Sequence, residues 1–555
     1  MTSRFYVACD LGAESGRVML GSVTDGRLVL EEVHRFPTGA IRIQNSLRWN
    51  ILGIFEELKA GLRKIAARGI EVASVSVDSW GVDYALFNER QPLLSLPYQY
   101  RDARTEKRYT DALENVGREK IFAETGIQFM SINTLYHLIA DVEENPDVLG
   151  IADQFLNIAD YVNYLFSGVA RAEVSLASTT QMYNPNTKTW SDELIRRFHL
   201  PERLFPPIVQ SGTTLGPLTT EMASNTGLTG VQVIATCSHD TGAAVAAVPA
   251  ESNDHWAYLS SGTWSLIGVE LPSPLVNETI REGNYTNEAG FGGTTRFLKN
   301  IVGLWLLQES RRAWARQGHE YDYAEINAMA ESAEPFRSLI DPDDPRFLSP
   351  EDMPEAIASY CRDTGQPEPS SPSEFTRCIL ESLALLYRET LDTIERLTGR
   401  TIKTLRIVGG GSQSGLLNQF AANATGRTVL AGPVEATAIG NVLIQAVALG
   451  DLESLAAMRD LVRDSFPIDT FKPSESQQWD DAQQRFAKLR DSKKRVRPKR
   501  ESVFQNEESP RAHRCQTVAH VLANVATFTN LRRSHYRVNK HDNERTTPYI
   551  KQQHN

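Results

Sequence analysis

The chain has 555 residues, 41% of them hydrophobic and 23% charged, which is globular composition long enough for two or more cores of ordinary domain size. No apolar run approaches the roughly 18 to 20 residues that cross a bilayer, and the first residues lack an export signal, so a cytoplasmic protein without membrane contact is expected. The net charge of −11 is unevenly spread, with 14 Lys/Arg against 6 Asp/Glu from Asp491 onward and 44 against 63 before it, and a body this acidic is not expected to take nucleic acid as its main partner.

Residues 5–11, 17–23 and 28–35 read as three strands, the last two joined by the Asp25-Gly26 turn. Ile51, Ile54, Phe55, Leu58, Leu62 and Ile65 then recur at helical spacing, and residues 72–77 return to strand. Three antiparallel strands, a crossover helix and a parallel strand open a ribonuclease-H-like domain. The same grammar reappears later. Residues 256–260 and 265–269 read as strands around Ser261-Gly262-Thr263, residues 377–397 as a long amphipathic helix, and residues 405–408 as a strand leading into Gly409-Gly410-Gly411. A helix over 414–424 and a last helix over 436–449, rich in small residues, follow. This predicts an N-terminal domain over 1–248, a C-terminal domain over 249–488 and a basic tail over 489–555. The tail holds five of the eleven histidines and has too little apolar surface to offset ordering entropy; only residues 518–531 in it read as a short helix. Five scattered cysteines form no CxxC pair and no cluster with histidine. Reduced thiols are expected, although Cys361 and Cys378 could come together.

The loop Asp10-Leu11-Gly12-Ala13-Glu14-Ser15-Gly16-Arg17 joins two hairpin strands. It reads either as a plain turn or as an anion site in which backbone N–H groups converge on phosphate, Arg17 neutralises charge and Asp10 reaches Mg²⁺ through water. Its spacing matches the first phosphate loop of actin-like ATPases. Ser261-Gly262-Thr263 offers a second such turn, and the glycines at 409–411 would let a base or ribose lie against bare backbone. In Ser238-His239-Asp240-Thr241-Gly242, Asp240 is either a helix N-cap or the carboxylate that accepts the proton of an attacking hydroxyl. Asp78-Ser79-Trp80-Gly81-Val82-Asp83 places an indole beside two carboxylates, which suits a sugar or a buried Trp with a solvated Asp. A helix predicted over 298–309 would put Asn300 and Gln308 on one face about 12 Å apart.

Together, DLGAESGRVML, DSWGVDY, SHDT, YLSSGTWSL, LKNIVGLWLLQ, VGGG and AGPVEA resemble the FGGY carbohydrate kinase family over nearly all of residues 4–485. The resemblance implies an α/β, two-domain actin-like sugar kinase fold that closes on its substrate in an inter-domain cleft. It implies MgATP phosphorylating O1 of L-rhamnulose, with another ketose such as L-fuculose or D-xylulose as the alternative, and a monomer or homodimer. By position, Ala13, Glu14, Ser15, Gly16, Arg17, Thr263, Gln308 and Gly410 correspond to ATP contacts. Gly81, His239, Thr241 and Asn300 correspond to sugar contacts, and Asp240 to the catalytic base. Two features depart from the pattern: the carboxylate of Glu14 in a phosphate loop, expected to point to solvent, and the basic tail.

Overall fold

The protein is described by a computed structural model covering residues 4–251, 255–474 and 476–496. The N-terminal sheet is built from β1 (Phe5–Leu11), β2 (Ser15–Thr24), β3 (Arg27–Pro37), β4 (Val72–Ser79), β5 (Thr213–Pro217) and β6 (Gln232–Ala235), in the order β5-β6-β4-β1-β2-β3. Helix α1 (Ile51–Ala66) crosses from β3 to β4, capped by the Asn50 side chain on the Gly53 N–H and burying Ile51, Ile54, Leu58, Leu62 and Ile65, the apolar stripe read from the sequence. β1 runs antiparallel to β2 and parallel to β4, so Asp10 lies beside Arg17 on one side and Asp78 on the other. The sheet ends at α2 (Asp240–Ala246).

The second sheet repeats this plan. β7 (Trp256–Ser261), β8 (Trp264–Leu271), β9 (Thr286–Ala289), β10 (Thr295–Val302), β11 (Thr404–Val408), β12 (Thr428–Ala431) and β13 (Asp469–Phe471) lie in the order β9-β10-β8-β7-β11-β12-β13. β7 and β8 form the central hairpin, and β11 and β12 add in parallel. Between β10 and β11 come α3 (Trp305–Arg316) and the long α4 (Pro372–Thr398). α4 begins five residues before the apolar pattern shows it, because Pro372 is tolerated in a first turn that the Ser371 side chain caps, and it stops at Gly399 in the left-handed region. α5 (Gly415–Thr425), α6 (Ala436–Ala448) and α7 (Ser476–Val496) follow in the C-terminal half.

The expected helix over 298–309 is not present. Residues 295–302 pair with β8, Asn300 opposite Leu266, and the helix starts only at Trp305. The chain must break at Gly303, where a Cβ would sit 2.6 Å from the Trp264 carbonyl carbon and 2.8 Å from the Gly262 oxygen. Asn300 and Gln308 therefore belong to a strand and a helix, and their spacing of eight does not make one face. The N-cap reading of Asp240 also changes: His239 occupies the cap position with extended backbone, and Asp240 is the first helical residue.

α2 and α6 lie between the two sheets. Tyr6 and Ala8 of β1 join Ala243 to Val248, Tyr258, Leu298, Val408, Ile439, Val442 and Leu443 in one core, whereas Val7, Cys9 and Leu11, pointing the other way, pack with α1. The helices meet at Gly440, where a Cβ would stand 1.9 Å from the Ala243 carbonyl oxygen. Beside this contact Asn441 donates to Asp78 (2.6 Å), Gln445 donates to the Val7 carbonyl (3.0 Å), and Ser74 donates to Gln445 (2.7 Å).

The C-terminal boundary expected near Lys488 falls inside α7, which runs to Val496. Arg490 explains the continuation, since its guanidinium pairs with Asp341 at 2.5 Å and Glu389 at 3.3 Å. The remaining tail, with the short helix read over 518–531, lies outside the described residues. Cys361 and Cys378 interact as buried free thiols. Among the described residues no helix is long and apolar enough to cross a membrane.

Gly440→Ala should therefore destabilise the protein by about 2 to 3 kcal/mol through overpacking. Gly415→Ala, whose Cβ meets nothing within 4 Å, should leave the thermal midpoint unchanged. Equal midpoints for the two variants would show that the helices do not need to meet so closely.

Candidate active site

A cavity of about 400 Å³ opens between the two sheets, and its wall gathers segments distant in sequence. Of the residues singled out by motif, Asp10, Ala13, Glu14, Ser15, Arg17, Gly81, His239, Asp240, Thr241, Thr263, Asn300, Gln308 and Gly410 all line it. Gly16 does not. It pairs with Leu11 in the β1–β2 ladder, and a Cβ there would lie 2.4 Å from the Phe36 ring, so packing alone requires glycine.

At one end the two hairpin loops face each other. The Gly12 N–H donates to the Ser15 carbonyl (3.1 Å), Thr38 donates through its hydroxyl to the Gly12 carbonyl (2.5 Å) and through its N–H to that of Glu14 (3.2 Å). In the second loop Gly262 N–H donates to Trp264 O (2.9 Å), and the N–H groups of Gly303, Leu304 and Trp305 satisfy the carbonyls of Thr263 and Gly262. Carbonyl dipoles that would repel an anion are thus engaged within each turn, a geometry suited to phosphate. Gly410 has open space where a Cβ would be, while Gly409 (φ 84°) and Gly411 press against Ser261. Gln308, in the first turn of α3, keeps its Oε1 buried without a hydrogen-bond partner among the described residues.

The charges here are mostly negative. Arg17 is held between Asp10 and Glu435. Asp78 is fully buried behind Asp10, and burial, then the neighbouring Asp10 charge, push its carboxyl well above the usual range despite the Asn441 hydrogen bond. Its Oδ1 has no partner among the described residues, and no three acidic, His or Cys side chains there form a ready metal cluster. Mg²⁺ fits this donor set in its usual manner, through one or two carboxylates and the phosphates it travels with, Asp10 being one of the carboxylates at the wall. Glu14 does not point to bulk solvent alone: Arg312 of α3 donates to it at 2.6 Å.

At the other end stand Gly81, His239, Thr241 and Asn300. Gln128, which no motif identifies, accepts from the Asn300 N–H (2.9 Å) and donates to its carbonyl (3.0 Å). Asp240 lies between the two ends. Its Oδ1 takes the Thr241 N–H (2.5 Å) and hydroxyl (3.2 Å), leaving Oδ2 without a hydrogen bond among the described residues. Burial raises its carboxyl pKa, opposed by His239 and reinforced by Asp10, a direction that makes it a better proton acceptor. The two other carboxylates of the Trp80 segment do not rim the cavity. Asp78 is behind the wall, and Asp83, 1% exposed, accepts from the indole N–H groups of Trp49 (2.6 Å) and Trp80 (2.9 Å). Trp80 itself lines the cavity, so Asp83 holds a wall residue from behind. Glu288, Thr286, Asn133 and Thr179 also reach the wall without any short motif around them.

The comparison with known proteins follows the same division. The description "FGGY family of carbohydrate kinases" applies to two matching models, its N-terminal domain over residues 5–247 and its C-terminal domain over 257–449. A rhamnulokinase of Bacteroides thetaiotaomicron is 44% identical over 477 residues, 86% of this chain and 97% of the relative. One of Bacillus subtilis is 38% identical over 470 residues, 85% and 96%. Among solved structures, gluconate kinase from Lactobacillus acidophilus superposes with a TM-score of 0.73 at 16% identity, over 88% of this chain and 98% of the other. Plasmodium falciparum glycerol kinase with ADP gives 0.68 at 14%, over 89% and 98%. At these identities the structures speak for the fold.

Burial pushes the Asp83 carboxyl up to about 8, against the indole and Tyr100 hydrogen bonds, whereas an unfolded Asp titrates near 3.9. The native state then holds this proton over the window between, so its contribution to stability falls as pH rises from about 4 to about 8. Asp83→Asn has no such proton. Denaturant melts should show the stability difference moving in the variant's favour by at most about 1.4 kcal/mol per pH unit. A difference that does not vary with pH would place the proton elsewhere.

Proposed function

The chain belongs to the FGGY family of carbohydrate kinases, and we propose on that premise that it transfers the γ-phosphoryl group of ATP to O1 of L-rhamnulose, giving L-rhamnulose 1-phosphate and ADP. Among the family's activities, the observation that carries this one is the near full-length similarity to curated rhamnulokinases at 38–44% identity. The cavity supplies the parts the reaction needs. The loops around Ala13 to Ser15 and Thr263 hold the phosphates, with Arg17, Gln308 and Gly410 as the remaining nucleotide contacts, and Gly81, His239, Thr241 and Asn300 orient the ketose. Asp240, fixed through Oδ1 by Thr241, offers Oδ2 to the attacking hydroxyl and takes its proton as the bond to phosphorus forms. Asp10 is the residue that would hold Mg²⁺, which would supply charge neutralisation on the phosphates. Phosphoryl transfer asks the protein mainly for positioning and electrostatic stabilisation, and a cleft lined from both domains does both once it excludes water.

A coupled ADP-release assay across L-rhamnulose, L-fuculose, L-ribulose, D-xylulose and glycerol tests the substrate. L-rhamnulose should give the highest kcat/KM, because a site built for one hydroxyl pattern leaves buried partners unpaired with another. A higher value for any other member would replace it. Asp240→Asn keeps size and the Thr241 contact but cannot accept the proton, so kcat should fall by roughly 10² to 10⁴ with KM for ATP little changed. Near wild-type turnover in the folded variant would remove Asp240 as the base.

A further inference from the structure

Arg296 is 1% exposed and stands on β10 of the C-terminal sheet, yet its guanidinium reaches the loop that enters α2 from the N-terminal sheet. Its Nη2 lies 3.0 Å from His239 Nδ1 and 3.1 Å from Glu288 Oε2, and its Nε donates to the Ala289 carbonyl at 3.1 Å. A guanidinium has only donors, so the ring nitrogen facing Nη2 must present its lone pair. A neutral imidazole that accepts at Nδ1 carries its proton on Nε2. Nε2 is the nitrogen turned to the cavity, 3.5 Å from Asp240 Oδ1 and 3.5 Å from the place a Cβ on Gly81 would occupy.

Glu288 Oε2 approaches the same Nδ1 at 3.3 Å and by itself would draw a proton there. Arg296 is closer to the ring and pairs with that carboxylate, which removes the pull. Taking the cavity as the ketose site proposed above, we propose that Arg296 is a positioning residue: it fixes His239 as the Nε2–H tautomer, so that the ring donates a hydrogen bond to a substrate oxygen beside Asp240. Because His239 comes from the N-terminal sheet's side and Arg296 and Glu288 from the other, the donor is set only when the two halves are together.

The test uses protein labelled with ¹⁵N-histidine, with the His239 signals assigned by their loss in His239→Gln. Wild type should show a bare Nδ1 and a protonated Nε2. Arg296→Met, similar in length and without donors, should move the proton to Nδ1, raise KM for the ketose by about tenfold or more and leave KM for ATP within about twofold. If burying Glu288 alone prevents folding, the double variant Arg296→Met, Glu288→Met removes both charges and should lose the tautomer preference, with the same split in KM. A protonated Nδ1 in active wild type, an unchanged tautomer in either variant, or equal loss toward both substrates would overturn the positioning role. A wild type with the expected tautomer that turns over no ketose would instead sink the substrate reading, and with it the oxygen that Nε2 is assigned to meet.

Discussion

The arrangement of the site depends on how closely α2 and α6 approach. At Gly440 the backbone of one helix touches the backbone of the other, and that contact sets the spacing of two sheets whose central hairpins both turn toward the same cavity. The segments carrying His239 and Asp240 lead directly into α2, and Glu435 directly precedes α6. The helix pair that joins the halves therefore also carries His239, Asp240 and Glu435 at its ends. Close-packed interiors have low compressibility and transmit strain, so added volume at Gly440 would be felt at these groups.

The electrostatics follow from the same geometry. Asp10, Asp78, Asp240 and Glu435 converge where Arg17 is the cation placed among them, in a body that is itself acidic. Arg17 is held by Asp10 and Glu435 through its two Nη atoms, while its Nε has no hydrogen-bond partner among the described residues, so its charge is largely balanced before a phosphate arrives. Attraction for a nucleotide must come chiefly from backbone N–H groups and from the cation the nucleotide brings. Burial raises several of these carboxyls, which lessens the repulsion before any ligand arrives.

The first hairpin, α1 and the central strands could be read from the chain, because their alternation and turn residues are local facts. So could thirteen of the motif residues that reach the cavity, since each sits in a short segment of recognisable composition. The misread segment over 298–309 shows the limit. A strand, a glycine break and a helix can leave two amides eight residues apart, as one helix would, and only the crowding of Gly303 against the 262–265 turn decides between them. Gln128, Glu288 and Arg296 were illegible for another reason: their roles come from partners far along the chain or in another strand, and nothing beside them in sequence signals that meeting. Sequence places Asp83 three residues from Trp80, beside a sugar or in solvent, but cannot say on which side of the wall it lies.

The pairing of Glu14 with Arg312 makes one contact of the cleft sensitive to salt. It spans the mouth of the cleft from the first hairpin loop to α3, and Arg312 holds a second carboxylate, Glu309, on its own helix. The guanidinium therefore has one carboxylate partner across the cleft and one on its own helix. Exposed pairs of this kind are worth about 1 kcal/mol or less and are screened by salt, so the link between the first hairpin loop and α3 loosens as ionic strength rises.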